Sequence, residues 1–166
     1  DSLERVLVKN PMIKSAQVYY SLDGYIHVNI QQREPVLRVL TGEGYYVDRD
    51  GRVMPLSSKF TSRVVVATGD INKKFACEKL GPFAMKLKNE PFWDAYIEQL
   101  VVRSNEDVVM IPKVGDFRIV LGKVDDCEAR LEKLMLFLKD GITKKGWNRY
   151  KEINLKFDNQ VVCVRK

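Results

Sequence analysis

The spacing of hydrophobic and polar positions changes several times along the chain, and each change marks an element. SLERVLVK (2–9) predicts a short helix, with Ser2 at its N-cap and Arg5 and Lys9 on the wet side. Asn10-Pro11 ends it. AQVYYS (16–21) and YIHVNI (25–30) predict two strands joined by a Leu22-Asp23-Gly24 turn. One short helix and two strands bury too little to stand alone, so this unit needs cover from the rest of the chain or from a piece outside it.

From Pro35 the pattern becomes a series of short strands: PVLRVL (35–40), YYV (45–47) and RVMPL (52–56), the last two closed by Asp48-Arg49-Asp50-Gly51. RVVVATG (63–69) is a continuous apolar run. Residues 72–88 carry helical spacing through Phe75, Lys79, Phe83 and Leu87, with an expected interruption at Gly81-Pro82. Glu90–Asp94 predicts a separate helical turn. AYIEQLVVR (95–103), VVMIP (108–112) and FRIVLG (117–122) predict three further strands. The clearest helix is 125–139, where Cys127, Leu131, Leu134, Met135 and Leu138 form one apolar stripe. Asp125 and Asp126 suit its first turn, Lys139 its last, and Gly141 its stop. INLKF (153–157), Asp158-Asn159 and QVVCV (160–164) predict a closing hairpin. The sum is an α+β fold, a mostly antiparallel mixed sheet with flanking helices on one face.

Composition narrows the class. In 166 residues, 45% hydrophobic and 30% charged, there is core enough without a metal or disulfide staple, and disordered and collagen-like classes are excluded. Three cysteines in no CxxC or CxxH pair give no support to structural zinc or thiol–disulfide chemistry. No run approaches a membrane span, and the start at Asp1-Ser2-Leu3 reads as a processed or truncated boundary from which an anchor could have been removed. The net charge of +6 is regional. Residues 139–166 hold eight basic and three acidic side chains, whereas residues 1–35 balance at four each.

Candidate chemistry is sparse. His27, the sole histidine, lies on a predicted strand face with Tyr25 and Asn29, without a marked nucleophile or orienting acid. Asp48–Gly51 superficially opens like a calcium loop, but the twelfth position is Lys59, so it reads as a tight hairpin turn. No nucleophile elbow, dinucleotide fingerprint or phosphate loop occurs. Catalytic residues, metal ligands and cofactors are therefore all expected to be absent. Cys127 belongs to the helix stripe. Cys163 shares a strand face with Val161, while Val162 and Val164 take the other. Around Trp147 and Tyr150 lie Lys144, Lys145, Arg149 and Lys151, a mixture that suits single-stranded nucleic acid, an anionic membrane face, a protein hot spot or a plain solvated loop. The last strand lies close to the end of this sequence, so it is expected to have no later segment to pair with. If it forms a sheet edge, its open backbone groups can receive a partner's strand.

Five segments, in order, resemble the bacterial cell division family FtsQ/DivIB, in the style of its Bacteroides-type members. They are the NPMIKSAQV helix-to-strand passage, the QREPV link, the Val47-Asp48-x-x-Gly51-x-Val53 turn, the GDFRIVLG strand with its following helix, and the INLKFDNQVVCV hairpin. In the hairpin, Asn154 and Phe157 stand where the family commonly has Asp and Tyr. The resemblance implies a partial POTRA domain at 1–34 (its second helix and last two strands) and an FtsQ/DivIB-type β domain at 35–166. It implies a non-catalytic divisome scaffold, anchored in the inner membrane by one transmembrane helix, with this part on the periplasmic side. It also implies binding of the FtsB/DivIC–FtsL pair through the last strands, here Phe157, Asp158, Asn159, Val161, Val162, Cys163 and Val164. Lys145, Trp147, Arg149 and Tyr150 form a possible secondary surface. The alternative is a nucleic-acid or anionic-surface module that uses the basic 139–166 region.

Overall fold

The computed structural model describes residues 2–142, 146 and 148–166. Lys144, Lys145 and Trp147 of the basic segment lie outside them. Helix α1 (Ser2–Val8) leans on a hairpin of β1 (Ile13–Tyr20) and β2 (Ile26–Gln32), which form a two-stranded sheet of their own. Opposite residues of an antiparallel pair share a face. Ala16, Val18 and Tyr20 therefore sit with Ile30, Val28 and Ile26 on an apolar face, and Gln17 and Tyr19 with Asn29 and His27 on a polar one. Ile26, Val28 and Ile30 are each about half exposed, at 53%, 46% and 47%. The outer edge of β1 is partly closed by Glu4, whose carboxylate accepts the Val18 N–H at 2.8 Å.

The nine-stranded sheet starts at Pro35. Its strands are β3 (Pro35–Val39), β4 (Tyr45–Asp48), β5 (Val53–Pro55), β6 (Val65–Gly69), β7 (Ile97–Arg103), β8 (Asp107–Pro112), β9 (Arg118–Gly122), β10 (Tyr150–Asn154) and β11 (Val162–Arg165), in the order β11-β10-β9-β8-β7-β6-β3-β4-β5. Five neighbouring pairs are antiparallel; β3/β6, β6/β7 and β9/β10 are parallel. A parallel pair needs a long crossover, and crossovers keep one hand. Both β6→β7 and β9→β10 step toward the same side of the sheet, so their helices lie on one face.

Those helices follow the sequence with three corrections. Between β6 and β7 run α2 (Lys73–Phe75), a π-helical turn (Ala76–Leu80), α3 (Gly81–Asn89) and α4 (Pro91–Tyr96). Gly81-Pro82 does not interrupt the helix. The Gly81 N–H reaches five residues back to Ala76 O, and this wider turn falls where Pro82 has no N–H to offer. Gly81 also permits close packing, since a Cβ there would stand 2.9 Å from Val47 Cγ1. The second correction concerns α5, which spans Glu128–Leu136 and so begins three residues later than the apolar stripe suggests. Asp126 is in the left-handed region (φ 48°), and Asp125 is turned to Lys79 Nζ at 2.9 Å. A π-helical turn, Phe137–Ile142, carries the chain through Gly141 instead of stopping there. Third, β10 and β11 are joined by residues 155–161, not by a two-residue turn. The chain continues past β10 as Leu155, fully buried, donates its N–H to Val120 O at 2.9 Å.

One core lies between the sheet and the helices. Leu37, Leu100, Met110, Ile119 and Ile153 face it from the strands, and Phe83, Trp93, Leu131 and Leu134 from the helices. The one charged side chain buried among the described residues is Asp48. Its Oδ1 accepts the N–H groups of Asp50 (2.9 Å) and Arg52 (2.8 Å), which shapes the β4–β5 turn, and its Oδ2 takes Arg33 Nη1 at 2.8 Å. This ion pair fastens the end of β2 to the sheet.

Two outcomes follow from the packing. The α1–β1–β2 unit buries Ile13 alone among its apolar side chains, so its amides should exchange much faster than those of β8 and β9; equal protection would contradict this packing. Gly69 has φ 106°, and a Cβ there would lie 2.1 Å from Val102 O on β7. Gly69→Ala should cost at least about 2 kcal/mol in denaturant unfolding, whereas Gly24→Ala, at positive φ in open space, should cost about 1 kcal/mol.

Candidate functional site

The last strand, β11, is an edge of the nine-stranded sheet. Two backbone bonds fix which of its groups face outward. Lys166 N–H donates to Arg149 O (3.2 Å), and Leu155 N–H donates to Val120 O on the far side of β10. Backbone direction alternates along a strand. With Glu152 opposite Val164 and Asn154 opposite Val162, the N–H and C=O groups of Val162 and Val164 point into β10. Those of Cys163 and Arg165 point away, and no strand among the described residues meets them.

Side chains along this edge divide by face. Val161 and Cys163 are half-buried and pack against the core, next to Ile153 and the helix side. Val162 and Val164 are 37% and 39% exposed on the opposite face. Phe157 is 47% exposed in the connecting loop, flanked by exposed Asp158 and Asn159, and Asn159 holds φ 55°. The loop is tied to α5 by a residue the sequence did not single out. Lys133 Nζ donates to Leu155 O at 3.1 Å and to Phe157 O at 2.5 Å. Its only sequence signal is its place on the flank of the apolar stripe, three residues after Arg130.

The surroundings are mostly basic. Arg149, Lys151 and Arg165 are exposed at this edge, with Glu152 directly opposite Val164 and exposed Arg118 one strand further in. Asp116 accepts Lys166 Nζ at 2.8 Å, and that hydrogen bond holds its carboxyl below the usual range. Of the secondary surface, Arg149 is exposed, whereas Tyr150 is half-buried with its ring 6.2 Å from that of Phe137. Lys145 and Trp147 are outside the described residues.

The sole histidine lies on β2, in the two-stranded sheet. Ser21, Asp23 and His27 meet at the β1–β2 turn, with His27 Nε2 3.1 Å from Ser21 Oγ. Asp23, however, accepts from Ser21 itself and not from the imidazole, which stacks on Tyr19, so the relay of a hydrolytic triad is not formed. Burial pushes the thiols of Cys77, Cys127 and Cys163 up, away from the reactive thiolate. A groove of about 440 Å³ beside α4 has Val65, Leu87 and Trp93 on its walls and the charged side chains of Arg63, Lys88, Asp94, Glu98 and Lys113 along its lining. Among the described residues no group of three or more His, Cys, Asp or Glu side chains is placed to hold a metal.

A mixed sheet covered by helices on one face and ending in an edge strand is the class of fold that carries these residues. Residues 34–164 match the model of the family described as FtsQ/DivIB, C-terminal related, and the chain belongs to that family. The match starts one residue before the nine-stranded sheet and runs into its last strand. No curated protein matches the chain. FtsQ/DivIB is a family of non-catalytic scaffolds in bacterial cell division, which places this chain in that process. Among the described residues no helix is long and apolar enough to cross a membrane.

The backbone directions give a stability test. Val162→Pro removes a ladder N–H and should cost about 3 kcal/mol. Cys163→Pro removes an outward N–H and should shift the unfolding midpoint much less. Equal losses would mean that the direction of β11 is misassigned.

Proposed function

We propose that the chain binds the FtsB/DivIC–FtsL pair by accepting a strand of that partner on β11 during septum formation. The observation that carries this reading is the outward-facing backbone of Cys163 and Arg165 at the sheet edge, which no strand among the described residues pairs. An added strand gains affinity from main-chain hydrogen bonds and selectivity from the side chains around it. Val162 and Val164 supply the apolar ground on one face, Val161 and Cys163 on the other, and Phe157, Asp158 and Asn159 meet the partner where the strand enters. Arg149 and Tyr150, with Lys145 and Trp147, form a secondary contact surface. The basic rim favours a partner segment that carries acids, with association slowed by salt.

In this reading residues 1–34 are the last part of a POTRA domain and residues 35–166 the β domain. The half-exposed Ile26, Val28 and Ile30 form the face that the rest of such a domain covers. The whole protein is held in the inner membrane by one transmembrane helix, with this part on the periplasmic side, and it works without catalysis or cofactor.

Titration calorimetry with the extracytoplasmic part of the partner pair is the direct test. Cys163→Pro should abolish most binding in protein that remains folded by circular dichroism. Truncating an interfacial aromatic commonly costs about 2 kcal/mol, so Phe157→Ala should weaken binding at least about tenfold while its melting temperature changes little. Unchanged affinity in both folded variants would move the site away from β11.

A further inference from the structure

The crossover helix α5 does more than cover the sheet. Parallel strands end in carbonyls that have no partner in the ladder, and β9 and β10 end side by side next to α5. Two cations three residues apart on one flank of the helix meet these ends. Arg130 donates Nη1 to Leu121 O and Nη2 to Asp125 O, both at 2.6 Å, and so ties the end of β9. Lys133 does the same one turn later, bridging Leu155 O and Phe157 O beyond the end of β10. Leu131 and Leu134, each the residue after one of these cations, are buried in the core on the neighbouring face, so the helix is a fixed platform.

We propose that Lys133 is a positioning residue for the partner edge: it pins the backbone of the loop that presents Phe157 and sets the entry into β11. This rests on the partner reading given above. Without the clamp, the loop keeps the bond from Lys156 N–H to Asn154 Oδ1, the pairing of Lys156 Nζ with Asp107 at 3.6 Å and the packing of Val161 on the core, while Phe157 between them loses the bond to its carbonyl. Asn159 compounds this, since its left-handed backbone is a conformation that a free loop adopts only part of the time. A loop that holds the binding geometry for a fraction of the time binds with an affinity reduced by that fraction. The ammonium fits the task because it carries three donors and reaches both carbonyls, which lie two residues apart in the loop.

The test compares Lys133→Met, which keeps the apolar stem, with Lys133→Arg, which keeps donors. In the free protein, hydrogen exchange of the 157–161 amides should rise about tenfold in Lys133→Met while β8 and β9 stay protected. Partner binding should weaken about tenfold, chiefly through slower association, because the added step is ordering of the loop before docking. Lys133→Arg should recover both. Wild-type exchange in the 157–161 amides of Lys133→Met, or faster exchange with undiminished affinity, would overturn the positioning role alone. A wild-type protein that fails to bind the partner pair would overturn the partner reading and the role with it.

Discussion

β10 lies parallel to β9, and most of what surrounds the C-terminal edge depends on that one pairing. Glu152, Ile153 and Asn154 lie beside Arg118, Ile119 and Val120 and run in the same direction. The chain therefore cannot turn straight back after β9. It leaves the sheet, crosses its face through α5 and returns, which adds a layer of Leu131, Leu134 and Leu138 over Ile119 and Ile153. It also leaves only a short hairpin partner, β11, for the outer side of β10. The same crossover brings Arg130 and Lys133 to the carbonyl ends of both strands. Core, edge and loop support thus share one topological cause.

The opposite side of the molecule is organised by the Asp48 carboxylate. An isolated buried charge is costly, but this one accepts two backbone N–H groups from its own turn and a guanidinium from Arg33. The turn and the attachment of the β1–β2 unit are thereby coupled, since both use one side chain. Arg33 N–H bonds back to Met12 O at 2.9 Å, and Lys14 reaches Asp50 at 3.0 Å, so the attachment is polar and narrow. A polar joint between two apolar units holds direction without requiring a large shared core. It leaves the apolar face of Ile26, Val28 and Ile30 open for other contacts.

Much of the fold is legible in the sequence because local patterns and tertiary demands agree there. The Asp48–Gly51 turn, the stripe Leu131/Leu134/Leu138 and the alternation in β1 and β2 each follow from residue type and period. The differences arise where neighbours outweigh propensity. Asp125 and Asp126 suit a helical first turn, yet Lys79 draws Asp125 outward and the helix starts at Glu128. Gly81-Pro82 reads as a break, yet Val47 needs the space that Gly81 leaves, and a π turn absorbs the missing donor. The candidate edge was legible as a last strand with two valine faces. Lys133 was not, because nothing in a Glu-Lys-Leu triplet tells a solvated lysine from one aimed at two carbonyls.

The sequence by itself determined most of the strand and helix segments, the apolar stripe of α5, and that histidine, cysteine and glycine patterns build no recognised catalytic motif. Those properties depend on residue chemistry and on periods of two and about 3.6, which are local. Only the tertiary structure decided that β6/β7 and β9/β10 run parallel, that β11 stands at the edge, and that Cys163 and Arg165 turn their backbone groups outward while Val162 and Val164 do not. A strand's partner and the direction of its N–H groups depend on register with residues tens of positions away, and a shift by one residue reverses every face. Short-range pattern carries no record of that choice.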